Sequence, residues 1–287
     1  MKPASFEYAR PQSVAEALSV LSARASDAKV LAGGQSLVPM MNFRMARPGL
    51  LVDINRLEEL NYHRIEGPDL VIGALARHAA LRSSTLVRAA CPLMAEAYQH
   101  VAHGPIRNRG TLCGNLCHAD PASEMPAILL ATEGVLVLKS SSSERRVPAD
   151  EFFRSTYETA ARPDELLTEV RIPAAPDQQG WGFQEVSVRK GDFALVGIAA
   201  TLKVENGKIV GATVAACGVG ERARRLPAAE AALTRAIPGK GAFSEAGEAA
   251  VAALDPHFGV HADAAYRRDL VRTLTARALS DAAERAA

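Results

Sequence analysis

Two glycine-bearing segments, far apart in the chain, hold the residue types best suited to gripping phosphate. The first is Ala32-Gly33-Gly34-Gln35-Ser36, behind the apolar lead-in Val30-Leu31. The second is Thr111-Leu112-Cys113-Gly114-Asn115, behind Ile106-Arg107-Asn108-Arg109-Gly110. Backbone without Cβ approaches an oxygen-rich ligand closely, and consecutive N–H groups converge on phosphate oxygens. Ser36, Thr111 and Asn115 add side-chain hydrogen-bonding groups. Two such turns suit a single pyrophosphate. Neither fits G-x-G-x-x-G or G-x-x-x-x-G-K-S/T, so a dinucleotide site here lies outside the Rossmann class. The competing readings are an ordinary strand-to-helix turn at Gly33 and a polar surface loop at Gly110. Against the latter, Leu112, Cys113 and Leu116 are apolar enough to anchor a loop from beneath.

Two further segments carry chemistry. In His118-Ala119-Asp120-Pro121-Ala122-Ser123-Glu124, either Asp120 or Glu124 has the carboxylate that accepts from ribose hydroxyls. The alternative is a turn at Asp120-Pro121 with Glu124 facing solvent. His118 lacks a neighbouring nucleophile or carboxylate partner and reads as structural. In Arg189-Lys190-Gly191-Asp192-Phe193-Ala194, two cations and an aromatic surround a glycine. They would neutralise phosphate or a reduced flavin anion, with Phe193 covering a ring face. The same pattern also describes a solvated basic loop with Phe193 as a core anchor. There is no G-x-S-x-G or H-E-x-x-H constellation. Cys113 and Cys117 with His118 invite a metal, but zinc needs four ligands and Cys91 and Cys217 stand alone. Four spaced thiolates for an iron–sulfur cluster are missing too.

The elements that must position these residues are legible from pattern. Ser13-Val14-Ala15-Glu16 opens a helix as a capping box, with Val14, Ala17, Leu18 and Leu21 on one face. Strands are expected at 29–32 and 50–54, which places the first glycine turn at a strand end, where ligands collect. A strand at 69–74 precedes helices at 78–90 and 92–101, the second glycine turn, and a helix at 126–132. Strands at 135–138 and 166–172 follow. The polar stretch 174–180 is the best linker. Asn206-Gly207 between apolar runs at 200–205 and 208–217 signals a hairpin. Helices at 227–236, 244–254 and 263–280 complete the chain.

Composition fits a sizeable core: 287 residues, 48% hydrophobic. A net charge of +1 gives no basic field for nucleic acid. No apolar run is long enough for a bilayer, and Met1 to Glu7 lacks the core of a signal peptide. The expectation is a cytoplasmic protein with no membrane span.

Taken together, the segments from Ala32 to Pro39, Ile106 to Asn115, Ala119 to Glu124 and Arg189 to Ala194 resemble the FAD-binding medium subunit of molybdenum hydroxylases, of the carbon monoxide dehydrogenase and xanthine dehydrogenase type. Their order and spacing run across nearly the whole chain. The resemblance implies an α+β fold. A two-part FAD-binding domain, PCMH-type and non-Rossmann, would span residues 1–176, with subdomains at 1–57 and 58–176. A C-terminal domain with a small antiparallel sheet and helices would span 177–287. Carried over residue by residue, it assigns the FAD pyrophosphate to Ala32, Gly33, Gly34, Gln35 and Ser36 and to Thr111, Leu112, Cys113, Gly114 and Asn115. Val101 and Phe193 fall beside the isoalloxazine ring, and Glu124 and Lys190 are further contacts. Gln35 stands where close relatives often have His, Cys113 where glycine is usual, and Glu124 where Asp is common.

The function implied is an electron relay. A large subunit holds molybdopterin, a small one holds [2Fe–2S] clusters, and FAD in this chain passes electrons to an external acceptor. The assembly implied is a dimer of heterotrimers. Two other readings stand beside it. A stand-alone FAD-dependent reductase of the cell-wall precursor type shares the FAD domain fold, and would reduce a small enoyl substrate with NADPH as the purified chain alone. A scaffold subunit lacking flavin would leave the assembled complex colourless.

Overall fold

The computed structural model describes residues 2–252, 254 and 261–286. The chain opens with Glu7–Ala9 (β1), Val14–Ala23 (α1), Ala28–Leu31 (β2), Leu37–Asn42 (α2) and Leu50–Asp53 (β3). The strands form a parallel sheet in the order β1-β3-β2. Ser13 caps α1, its Oγ accepting from Glu16 N at 3.1 Å. Glu16 Oε2 in turn accepts from Gln12 N at 2.7 Å, one residue upstream of the box expected from sequence. Ala17, Leu18 and Leu21 are the buried face. As expected, the first glycine turn leaves the carboxyl end of a parallel strand, β2.

The second sheet is antiparallel, in the order β4-β5-β10-β6-β7. Its first hairpin is His63–Glu66 (β4) and Asp69–Gly73 (β5). Six helices follow: His78–Ser83 (α3), Thr85–Ala90 (α4), Pro92–Ala97 (α5), Gly104–Arg109 (α6), Leu112–His118 (α7) and Glu124–Ala131 (α8). Val135–Lys139 (β6) and Glu144–Pro148 (β7) continue the sheet. Ala149–Phe152 (α9) and the small pair Phe153–Ser155 (β8) and Glu158–Thr159 (β9) lead to Leu166–Pro173 (β10). The helix expected over 78–90 is two helices, because the Ser84 hydroxyl accepts from Val87 N at 3.2 Å and starts α4. The expected turn at 110–115 is also different. Only Gly110 and Thr111 are extended, bridged to Arg77, and α7 begins at Leu112. β4 and β7 carry charged, exposed residues and have no apolar period, as edge strands often do.

The third part pairs Gln179–Ser187 (β11), Ala194–Glu205 (β12), Lys208–Cys217 (β13) and Arg224–Arg225 (β14) in chain order. Pro227–Leu233 (α10), Lys240–Ala252 (α11) and Ala264–Arg285 (α12) cover one face. Asn206 and Gly207 turn the β12–β13 hairpin with φ of 50° and 72°, as a two-residue loop requires. β12 begins six residues before the expected 200 because Ala194 to Leu202 is buried throughout and shows no alternation. Of the helix expected at 244–254, residue 253 lies outside the described residues. A Cβ on Gly182 would sit 2.1 Å from the Ala278 carbonyl oxygen, so glycine lets α12 lie directly on β11. One apolar core joins the two sheets of the first part and a second lies under α10 to α12. Among the described residues no helix is long and apolar enough to cross a membrane.

Candidate functional site

A cleft of about 1380 Å³ opens where the three sheets meet. It is larger than the 300–1,000 Å³ that houses a drug-sized ligand. Ala32, Gly33, Gly34, Gln35, Ser36, Val101, Thr111, Cys113, Gly114, Asn115, Glu124 and Phe193 all line it. Residues distant in sequence are thus gathered on one surface. Leu112 and Lys190 do not line it. Leu112 is fully buried in the core under α7, and the Lys190 side chain projects into solvent.

The turn after β2 is built to receive an anion. Among the described residues, the N–H groups of Gly33, Gly34, Gln35 and Ser36 donate to no protein acceptor. Gly34 has φ of 71°, the left-handed bend that lets successive N–H groups face one concavity. Gln35 folds back, Nε2 donating to the Gly33 carbonyl at 3.1 Å. Gly33 lies directly on the second segment: a Cβ there would stand 2.5 Å from Arg109 O and 2.7 Å from Gly110 Cα. Any larger residue separates the two segments.

Two residues that sequence reasoning passed over hold this junction. Asn55 Nδ2 donates to the Ala32 carbonyl at 2.8 Å, and Arg77 Nη2 donates to Asn55 Oδ1 at 2.6 Å. Arg77 Nη1 donates to the Arg109 carbonyl. Burial, then the nearby Arg109 charge, push the Arg77 guanidinium below its usual pKa. Neither residue sits in a motif, so no local signal marks them.

On the second segment, Thr111 Oγ1 accepts from Gly114 N at 3.1 Å, which caps α7 and leaves the hydroxyl proton to donate elsewhere. Asn115 turns inward instead, Nδ2 donating to Ser123 Oγ at 2.9 Å. That bond fastens α7 to the start of α8. Glu124 opens α8 with 3% exposure. Burial pushes its carboxyl up to about 7, and nearby Asp120 adds to the rise. His118 also lines the cleft, stacked on Tyr157 with ring centroids 4.8 Å apart, and Tyr157 OH donates to Asp120 Oδ2 at 3.3 Å.

The far end of the cleft is made by two loops in contact. Gly191 has φ of 87°, and a Cβ there would lie 2.5 Å from His103 Cε1. Arg107 Nη1 braces the opposing loop, donating to the carbonyls of Val101 at 2.9 Å and Ala102 at 2.7 Å. Val101 is buried in the wall, whereas Phe193 is 52% exposed at the rim. Phe193 is therefore no core anchor. The donors at the first turn, the glycine contact and the long apolar-rimmed groove fit an extended dinucleotide carrying a flat ring.

The pattern of the FAD binding domain in molybdopterin dehydrogenase matches residues 4–175, and that of the CO dehydrogenase flavoprotein C-terminal domain matches residues 181–282. This chain belongs to the FAD-binding medium subunits of the molybdenum hydroxylases. It is an oxidoreductase subunit, and FAD is its cofactor. The 6-hydroxypseudooxynicotine dehydrogenase complex subunit alpha of Paenarthrobacter nicotinovorans is 42% identical, over 100% of this chain and 97% of its own length. The caffeine dehydrogenase subunit beta of Pseudomonas sp. strain CBB1 is 46% identical over 80% of this chain and 78% of its own. Among solved structures, a chain of the Hydrogenophaga pseudoflava carbon monoxide dehydrogenase that lacks the Mo-pyranopterin moiety superposes with a TM-score of 0.97, at 40% identity and full coverage of both chains.

Proposed function

We propose that this medium subunit holds FAD across the cleft and relays electrons from [2Fe–2S] clusters of a small subunit to an external acceptor. A large molybdopterin subunit would oxidise the substrate. Residues 1–176 would form the FAD-binding domain, in parts 1–57 and 58–176, and 177–287 the C-terminal domain. The complex would be a cytoplasmic dimer of heterotrimers. The observation that carries the reading is the run of four N–H groups at Gly33 to Ser36 that have no acceptor among the described residues, pressed by Gly33 against the backbone that leads into Thr111.

When bound, FAD accepts two electrons and releases them singly or together. The chain's own residues supply binding and orientation. The Gly33 to Ser36 N–H groups and the Thr111 hydroxyl would take the pyrophosphate. Asn55 and Arg77 fix the distance between the two segments. Val101 in the wall and Phe193 at the rim would flank the ring. Glu124, a buried carboxyl in the cleft wall, would be offered to the cofactor's polar groups. Leu112 acts from beneath by anchoring α7, and Lys190 lends only long-range charge. The relatives' names specify 6-hydroxypseudooxynicotine, caffeine and carbon monoxide, although their identities to this chain are similar, at 42%, 46% and 38%. That supports placing substrate choice in the large subunit.

The test is co-expression with the neighbouring genes' products, followed by a visible spectrum and metal analysis of the purified complex. Flavin bands with iron–sulfur absorbance and molybdenum are expected. Flavin on this chain with no metal-containing partner would instead indicate a stand-alone reductase.

A further inference from the structure

We propose that Glu185, acting with Glu124, is a buried proton store that fills when the flavin is reduced and exchanges with solvent past His100. The proposal rests on the reading of the cleft as the flavin site.

Glu185 lies on β11 opposite Gly197 of β12, which is opposite Cys217 of β13. A Cβ on Gly197 would meet Cys217 Sγ at 2.7 Å and Phe183 Cζ at 3.6 Å, so the glycine clears the sheet face on which the carboxyl lies. The Glu185 side chain is 1% exposed. Its Oε2 is buried and has no hydrogen-bond partner among the described residues. Neither Glu124 nor Glu185 has a lysine or arginine ion-pair partner among the described residues, apart from any charge at long range. A buried carboxyl without a cation is held most cheaply as the acid.

The two carboxyls and the Cys217 thiol interact electrostatically, and each carboxylate raises the thiol. Burial first, then the Glu124 charge, lift Glu185 to about 8, with Ser187 opposing. Asp120 and Tyr98 are the other titratable groups around Glu124. On the solvent side, His100 Nδ1 stands 3.7 Å from Glu185 Oε1, and the His100 side chain is 37% exposed. Burial and then Lys190 lower the His100 pKa, while Glu96 raises it. Glu124 thus lines the cleft, Glu185 lies buried on β11 and feels the Glu124 charge, and His100 links Glu185 to solvent.

Bound FAD would supply two-electron chemistry here, and the reduced form would add negative charge to the cleft. The electrons come from the partner subunit, or from dithionite in a titration. That charge raises the carboxyl pKa values, so an ionised carboxylate of the pair takes a proton, forming an O–H bond. The proton comes from water through His100. Reoxidation by an electron acceptor removes the electrons and returns that proton to water. Below about pH 7 the pair is already protonated and takes up nothing more. Above that, uptake grows.

The experiment is a redox titration of the flavin in the assembled complex from about pH 6 to 9, with proton uptake recorded in weakly buffered dye solution. Each proton accompanying two electrons adds about 30 mV per pH unit to the slope of the midpoint potential. Wild type and Glu185→Gln should coincide near pH 6 and diverge above about pH 8, the variant losing up to that increment and the matching uptake. Superimposed curves in flavin-replete proteins would overturn the proposal alone. A wild-type complex without flavin would overturn the cleft reading as well. Should Glu185→Gln fail to fold, His100→Gln serves: it should delay proton uptake while leaving its final amount unchanged, and an undelayed uptake would contradict the relay.

Discussion

Arg77 donates to Asn55 Oδ1 at 2.6 Å, and through that bond the two glycine segments are tied at a fixed separation. One end of the tie is the Ala32 carbonyl and the other the Arg109 carbonyl. Asn55→Ala removes the middle of it and leaves a half-buried guanidinium less well held. Losing such bonds costs about 1–2 kcal/mol, or roughly tenfold in affinity. FAD should dissociate about tenfold more readily from the variant complex, as measured by equilibrium dialysis. Unchanged retention would mean that the junction does not depend on this pair.

Gly182 sets how closely α12 lies on β11. A Cβ there would be 2.1 Å from a main-chain oxygen, which no rotamer change relieves. Gly182→Ala should lower stability by about 1–3 kcal/mol through overpacking. Gly239→Ala, with nothing within 4 Å, should stay within about 0.5 kcal/mol. Urea midpoints of the two variants give the comparison.

Glu124 makes stability depend on pH. Its folded-state pKa of about 7 lies above the ordinary 4.5. Between those values the folded chain keeps a proton that the unfolded chain has released, so stability falls as pH rises. The contribution is full below the ordinary value and lost as pH climbs through about 7, on the order of 3 kcal/mol in all. Glu185 acts in the same direction to higher pH. Glu124→Gln should therefore raise the Tm at about pH 8 relative to wild type and flatten the curve from about pH 5 upward. A wild-type Tm that rises over that range would contradict the burial argument.

Phe193 is a half-exposed aromatic on a loop held by Gly191. Phe193→Ala should change stability by less than about 1 kcal/mol. Bound-flavin fluorescence should rise as the ring loses its cover. Unaltered fluorescence with full flavin content would place Phe193 outside the ring pocket.

The chain's periodic elements were readable because each has one wet and one dry face, as in α1, or a turn that admits few residues, as at Asn206-Gly207. β4 and β7 were not, since charged edge strands carry no apolar rhythm. The strand-end turn of the candidate site was legible where glycine is required, at Gly33 and Gly34. It was misread at 110–115, because a threonine cap turned an expected loop into a helix. Asn55, Arg77 and Glu185 were invisible for a different reason. Their roles depend on partners far away in sequence, and nothing beside them in the chain announces those partners.

The cradle is tested most directly by the flavin content of the assembled complex carrying Gly33→Val. Two added methyl groups and a Cβ at 2.5 Å from the Arg109 carbonyl must drive the segments apart. Wild type should contain FAD equimolar with this chain, and the variant complex should keep its metals and lose the flavin. Full flavin in a folded variant would contradict the assignment of the pyrophosphate to this junction.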